Sequence, residues 1–200
     1  MNDVTITAAE QAMPRATPET QRVYARPARI LHWLTAIGVF VMLPLGLAMT
    51  YRGKTLDLWD GLTEALYSAH KLGGFILLWL AAGRLIYRLL HGAPPDEPSL
   101  SGPQRLAAHL VHWALYGLLL FVPLLGWIGI SLFPALGVFG LFDLPALAKP
   151  DEAAAGRVLG LHGTLAFVLA GLVGLHVAAA LFHRFVLRDG VLGRMWPSRR

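Results

Sequence analysis

The chain has 200 residues, 56% of them hydrophobic and 14% charged, a net charge of +5 and a mean hydropathy of +0.55. That balance excludes an ordinary soluble domain and describes a small integral membrane protein. With no cysteine, disulfides, Cys-ligated iron–sulfur clusters, thiolate nucleophiles and C-x-x-C-H haem attachment are excluded. The basic residues gather at the ends of apolar runs, which points to membrane topology rather than nucleic acid.

Residues 1–24 are polar, rich in Pro and Thr, and lack both periodicity and an apolar h-region. They are expected to be a disordered cytoplasmic tail and not a signal peptide. Residues 25–196 form the transmembrane domain, and 197–200 a basic tail. The first span is about 29–51, with His32 and Trp33 near its start, Gly38 and Gly46 for close approach, and Pro44 as a candidate kink. A polar loop, 52–65, leads to the second span at about 66–90, which carries His70, Lys71, Gly73–Gly74, Arg84 and Arg88. After a Pro/Gly/Ser-rich loop, 91–104, the third span covers about 105–133 with His109 and His112 in its first two turns. Residues 134–157 form a further loop, whose apolar half (VFGLFDLPAL) is expected in the membrane interface.

The fourth span, about 158–187, holds His162, His176 and His183. Fourteen helical residues turn through about 1400°, so His162 and His176 leave one face about 21 Å apart along the axis. His183 lies near the same stripe about 10 Å further on. Such side chains are costly in lipid and usually functional, although interhelical hydrogen bonding is their plainer use.

The fold class is therefore all-α, a four-helix bundle in lipid. Of the 17 lysines and arginines, Arg52, Lys54, Lys71, Lys149 and Arg157 belong to the two loops on one side, and the rest to the tails and the middle loop. The positive-inside rule then puts both termini in the cytoplasm.

Topology also sets depth. His70 and His162 lie near the outer surface and are the membrane histidines available there for a cofactor with two imidazole ligands. On the inner side, depth permits His176 to pair with either His32 or His112. Haem b takes two neutral imidazoles from facing helices of an apolar bundle. Zinc or copper would gather three or four ligands at one depth, and a proton relay usually includes an acidic residue.

The segments RILHWL (29–34), AHKLGG (69–74), GRLIYR (83–88), AHLVH (108–112) and LHGTL…GLHVAAALFHR (161–184) resemble the bacterial cytochrome b561 family. That framework is shared with the cytochrome b subunits of nickel–iron hydrogenases and formate dehydrogenases. The resemblance runs from about residue 24 to 196. It implies two non-covalent b haems, an inner one on His32 and His176 and an outer one on His70 and His162. It also makes His183 a candidate quinone contact.

Arg84 is a candidate partner for an inner-haem propionate, or it snorkels to the headgroups. Lys71 is a candidate for an outer propionate, or it faces water. His109 and His112, three residues apart and so on one face, are candidates for the surroundings of the inner haem or the quinone.

The function expected is electron transfer in the bacterial inner membrane between a periplasmic one-electron partner and the quinone pool. A sharper form, implied by the resemblance, is oxidation of superoxide with ubiquinone reduced. The alternatives are a non-enzymatic relay subunit, passing quinol electrons to a small periplasmic redox protein, and, more remotely, a haem or metal transporter.

Overall fold

The computed structural model describes residues 23–196. The expected disordered tail falls, over residues 1–22, outside the described residues, as does the basic tail at 197–200. Residues 23–24 belong to the folded part, since the Tyr24 amide donates to the Arg194 carbonyl at 3.2 Å.

The chain runs through α1 (Arg26–Thr50), α2 (Gly61–His91), α3 (Gly102–Leu132) and α4 (Glu152–Phe182). At 1.5 Å per residue each exceeds the ~30 Å hydrocarbon core. Each of the last three helices begins before the apolar stretch that announces it, because polar side chains cap a first turn that hydropathy does not detect. Asp60 accepts from the Thr63 amide at 2.9 Å, and Asp151 from the Ala154 amide at 3.0 Å. Gln104 reaches back to the Ser101 amide at 2.8 Å. α1 stays a single helix through Pro44. At their far ends α1 and α4 widen into single π-turns, Tyr51–Thr55 and His183–Leu187.

Consecutive helices pack antiparallel, α1 on α2, α2 on α3 and α3 on α4, while α1 and α4 scarcely touch. An open cleft of about 320 Å³ lies there, lined by Phe40, Leu43, Val173, Gly174, Val177 and Leu181 among others. The buried core is one thin layer of Val39, Leu77, Ala81, Leu119 and Leu169. Large apolar side chains cover the outside instead, with Phe40 60% and Phe167 68% exposed. A soluble protein would not tolerate that surface, and a lipid-facing one requires it.

Both ends of the described chain meet at one end of the bundle, here the terminal end. Trp33 Nε1 donates to the Met195 carbonyl at 2.9 Å, so the C-terminal segment docks on the start of α1. The opposite end carries a hairpin, β1 (Gly137–Val138) and β2 (Phe142–Asp143), paired antiparallel with Val138 opposite Phe142. Gly140 takes the left-handed conformation its turn requires, at φ 68°.

The apolar loop expected in the interface is thus divided. Val138 and Leu144 are buried, whereas Leu141 is 81% exposed and Phe142 half exposed. The inward half is fastened by polar groups. The Phe139 amide donates to Ser68 Oγ at 3.0 Å, Trp127 Nε1 to the Pro145 carbonyl at 2.7 Å, and the Leu147 amide to Ser131 Oγ at 3.1 Å.

The Asp60 carboxylate anchors the other loop at this end. The Thr63 amide, then the Arg52 guanidinium at 2.6 Å, hold its pKa at about 2, against an ordinary 3.8. A depressed folded value stabilises above the unfolded one, and that contribution disappears as pH falls from 3.8 towards about 2. Hydrogen exchange at the Thr63 and Glu64 amides should accelerate over that window beyond the intrinsic rate. Asp60→Asn, which retains a capping oxygen, should remove the pH dependence.

Candidate cofactor site in two histidine tiers

Five of the histidines singled out in the sequence meet inside the bundle in two tiers. α4 supplies one to each, His162 and His176, with the core residue Leu169 midway between them in the chain. At the hairpin end His162 faces His70 of α2, with ring centroids 6.1 Å apart and planes at 88°. At the terminal end His176 faces His32 of α1 at 6.3 Å and 71°. His112 of α3 also borders His176, at 5.4 Å.

Hydrogen bonding does not account for these rings. His162 Nδ1 donates to the Val122 carbonyl at 2.8 Å, which directs its Nε2 toward any ligand. Nδ1 of His32 and of His70 are buried and have no hydrogen-bond partner among the described residues. Interhelical glue would leave no such orphans, because an unpaired buried polar atom is costly.

The separations suit a metal held between two imidazoles. A metal–imidazole bond is about 2.0–2.1 Å and the nitrogen lies about 1.2 Å from its ring centre, so two axial rings have centroids about 6.4 Å apart. The 6.1 and 6.3 Å pairs come close to that distance, and the 5.4 Å contact of His112 falls short of it. Among the described residues no three His, Asp or Glu side chains converge to hold a bare metal ion. Two opposed imidazoles in an apolar bundle, with an unfilled cleft between α1 and α4, fit haem b.

Glycines make room for the rings. A Cβ on Gly46 would lie 2.9 Å from the His70 ring, and one on Gly126 would lie 3.1 Å from the His162 ring. Gly126 escaped sequence analysis, its one signal being a glycine inside an apolar helix. Gly73 instead accommodates Met42 Sδ, and Gly38 accommodates Leu77.

The remaining candidates separate. His109 is exposed and pairs with Asp96 at 3.2 Å, apart from the tier His112 joins. The Lys71 ammonium donates to the Ala135 carbonyl at 3.1 Å and to the Gly137 carbonyl, so it tethers the hairpin. His183 Nδ1 donates to Asp189 Oδ2 at 2.6 Å, with both side chains nearly buried. Burial alone would raise the Asp189 carboxyl; hydrogen bonds from His183 and the Val191 amide reverse this and hold it below its usual range.

Arg84 lies over the Tyr116 ring at 5.1 Å, and Arg88 is within 6 Å of the Trp113 and Tyr116 rings. Neither pairs with a carboxylate among the described residues. With Tyr24, Ala28 and Tyr87 they line a small cleft at the terminal end.

Comparison with known proteins agrees with this chemistry. The family model described as prokaryotic cytochrome b561 matches residues 23–198. Cytochrome b561 homolog 2 of Escherichia coli (strain K12) is 36% identical over 180 residues, 90% of this chain and 92% of its own. Cytochrome b561 homolog 1 of the same organism is 29% identical, over 85% of this chain and 94% of its own. A protein of Yersinia pestis named "Probable superoxide oxidase CybB" is 28% identical, over 85% and 93%. Similarity that runs nearly end to end, through all four helices and both tiers, places the chain in the prokaryotic cytochrome b561 family, as a multi-pass membrane protein of electron transfer that binds haem b.

Proposed function

We propose that the chain holds two b haems, one between His32 and His176 and one between His70 and His162, and carries single electrons between the two faces of the bacterial inner membrane. The observation that carries this reading is the pair of opposed imidazoles at 6.1 and 6.3 Å, set fourteen residues apart on one stripe of α4. Haem, when bound, supplies a reversible one-electron couple in each tier. The protein's own residues do the rest. His162 is locked in one tautomer by the Val122 carbonyl, Gly46 and Gly126 admit the rings, and the Val39–Leu77–Leu119–Leu169 layer excludes water between tiers. Arg84 is placed to meet a propionate at the terminal end, with His112 beside that tier. Lys71 serves the hairpin instead.

On this reading the terminal end is cytoplasmic and the hairpin end periplasmic. The substrates are superoxide outside and a quinone, taken as ubiquinone, inside: two superoxide, one quinone and two protons give two dioxygen and one quinol. The name of the Yersinia pestis relative supports the superoxide assignment, and His183, fixed by Asp189 at 2.6 Å, is suited to donate a proton at the quinone end. A second reading, a relay from quinol to a periplasmic redox protein, is favoured by the apolar hairpin tip at Leu141 and Phe142.

Three outcomes test these assignments. His70→Ala and His32→Ala should each remove one of two low-spin haems from the optical spectrum, and no change in stoichiometry would refute the pairing. Gly126→Leu should lose the hairpin-end haem selectively, because the new side chain takes the space of the His162 imidazole. Purified protein should speed superoxide loss only when ubiquinone is present, by about tenfold or more over buffer; quinol oxidation by a periplasmic protein without that acceleration would favour the relay.

A further inference from the structure

The two tiers differ in charge. At the terminal end Arg84 and Arg88 both lie against the Tyr116 ring, and Tyr116 follows His112 of that tier by one turn of α3. The groups facing this pair are the rings of Tyr24, Trp113 and Tyr116, and no carboxylate pairs with either guanidinium among the described residues. Of the acids at this end, Asp96 pairs with His109, Asp189 with His183, and Glu97 lies beside Gly190. At the hairpin end His70 faces His162, and no Lys or Arg side chain is found over an aromatic ring beside that pair among the described residues. Lys71 turns its ammonium to the Ala135 and Gly137 carbonyls, within reach of Asp143, and Arg52 is neutralised by Asp60.

We propose that Arg84 and Arg88 are fixed positive charges that make the terminal-end haem the stronger electron acceptor, so that electrons entering at the hairpin end run downhill toward the terminal end. The proposal rests on the two-haem reading. Reducing a haem adds one negative charge, and two cations with no carboxylate partner among the described residues, in a low-dielectric bundle, favour the state that carries it. Identical haems bring identical propionates, so the difference between the tiers stays with the protein. One unit charge about 10 Å away, at an effective dielectric constant of about 20, shifts an electron equilibrium by on the order of tenfold. For a one-electron couple, tenfold is about 59 mV. Two such charges suffice to set direction between otherwise similar bis-imidazole sites.

The test is spectroelectrochemical titration of the purified, haem-loaded protein, with bands assigned from His32→Ala and His70→Ala. In the unaltered protein the terminal-end haem should have the higher midpoint. Arg88→Gln should lower that midpoint by about 59 mV, the equivalent of tenfold, with both haems retained and the hairpin-end midpoint unmoved. Arg84→Lys, which keeps the charge, should stay near the unaltered value even if propionate contact is weakened. A terminal-end midpoint below the hairpin-end one would overturn the proposal, as would an unmoved midpoint or equal shifts of both haems in Arg88→Gln. Should Arg88→Gln fail to fold, the order of the two midpoints in the unaltered protein still decides. A haem content other than two would defeat the two-haem reading itself, a separate failure visible in stoichiometry before any titration.

Discussion

The constraint on which this structure depends is the cost of placing imidazoles in an apolar bundle and leaving them unpaired. A histidine in lipid normally finds a hydrogen-bond partner or a metal. Here two ring nitrogens, on His32 and His70, are buried with neither among the described residues. Both rings face partners on α4 at separations that admit a metal between them. Facing pairs couple helices that otherwise have little reason to associate, since lipid tails solvate apolar side chains as well as neighbouring helices do. The thin buried layer and the open α1–α4 cleft agree with a bundle whose interior is completed by something other than its own side chains.

Polar groups do the fastening at the two ends. At the hairpin end a lysine, two serines and a tryptophan hold a loop over the bundle through backbone atoms. At the terminal end the last turns fold back on α1 through Trp33, and Asp189 gathers bonds from His183, Ser99 and Val191. These contacts lie where water is available during assembly, while the middle of the bundle is left to apolar packing. The ends differ in the charge they present: Arg84 and Arg88 have no carboxylate partner among the described residues, whereas Arg52 at the other end is paired with Asp60.

Much of this was legible in the amino-acid order. Four apolar runs bounded by charges determine four spanning helices, because nothing else satisfies the backbone inside lipid. The spacing of His162 and His176 determines two tiers on one stripe, because 3.6 residues per turn returns fourteen residues to nearly the same face. The last three helices begin several residues before their apolar spans, since Asp60, Ser101 and Asp151 cap turns that hydropathy passes over.

Tertiary structure alone decided what depends on distances across the bundle. Residue spacing along single helices left His32 and His112 equivalent as neighbours of His176; across the bundle their rings lie 6.3 and 5.4 Å from it. The i, i+3 spacing put His109 beside His112, yet one reaches Asp96 at the surface and the other enters the tier. Lys71, adjacent to His70 in the chain, turns to a hairpin more than sixty residues away. Gly126 matters because of His162 on another helix, thirty-six residues on. Periodicity within a helix is local and readable from the chain itself; which faces meet, and how closely, is fixed by the packing of all four helices at once.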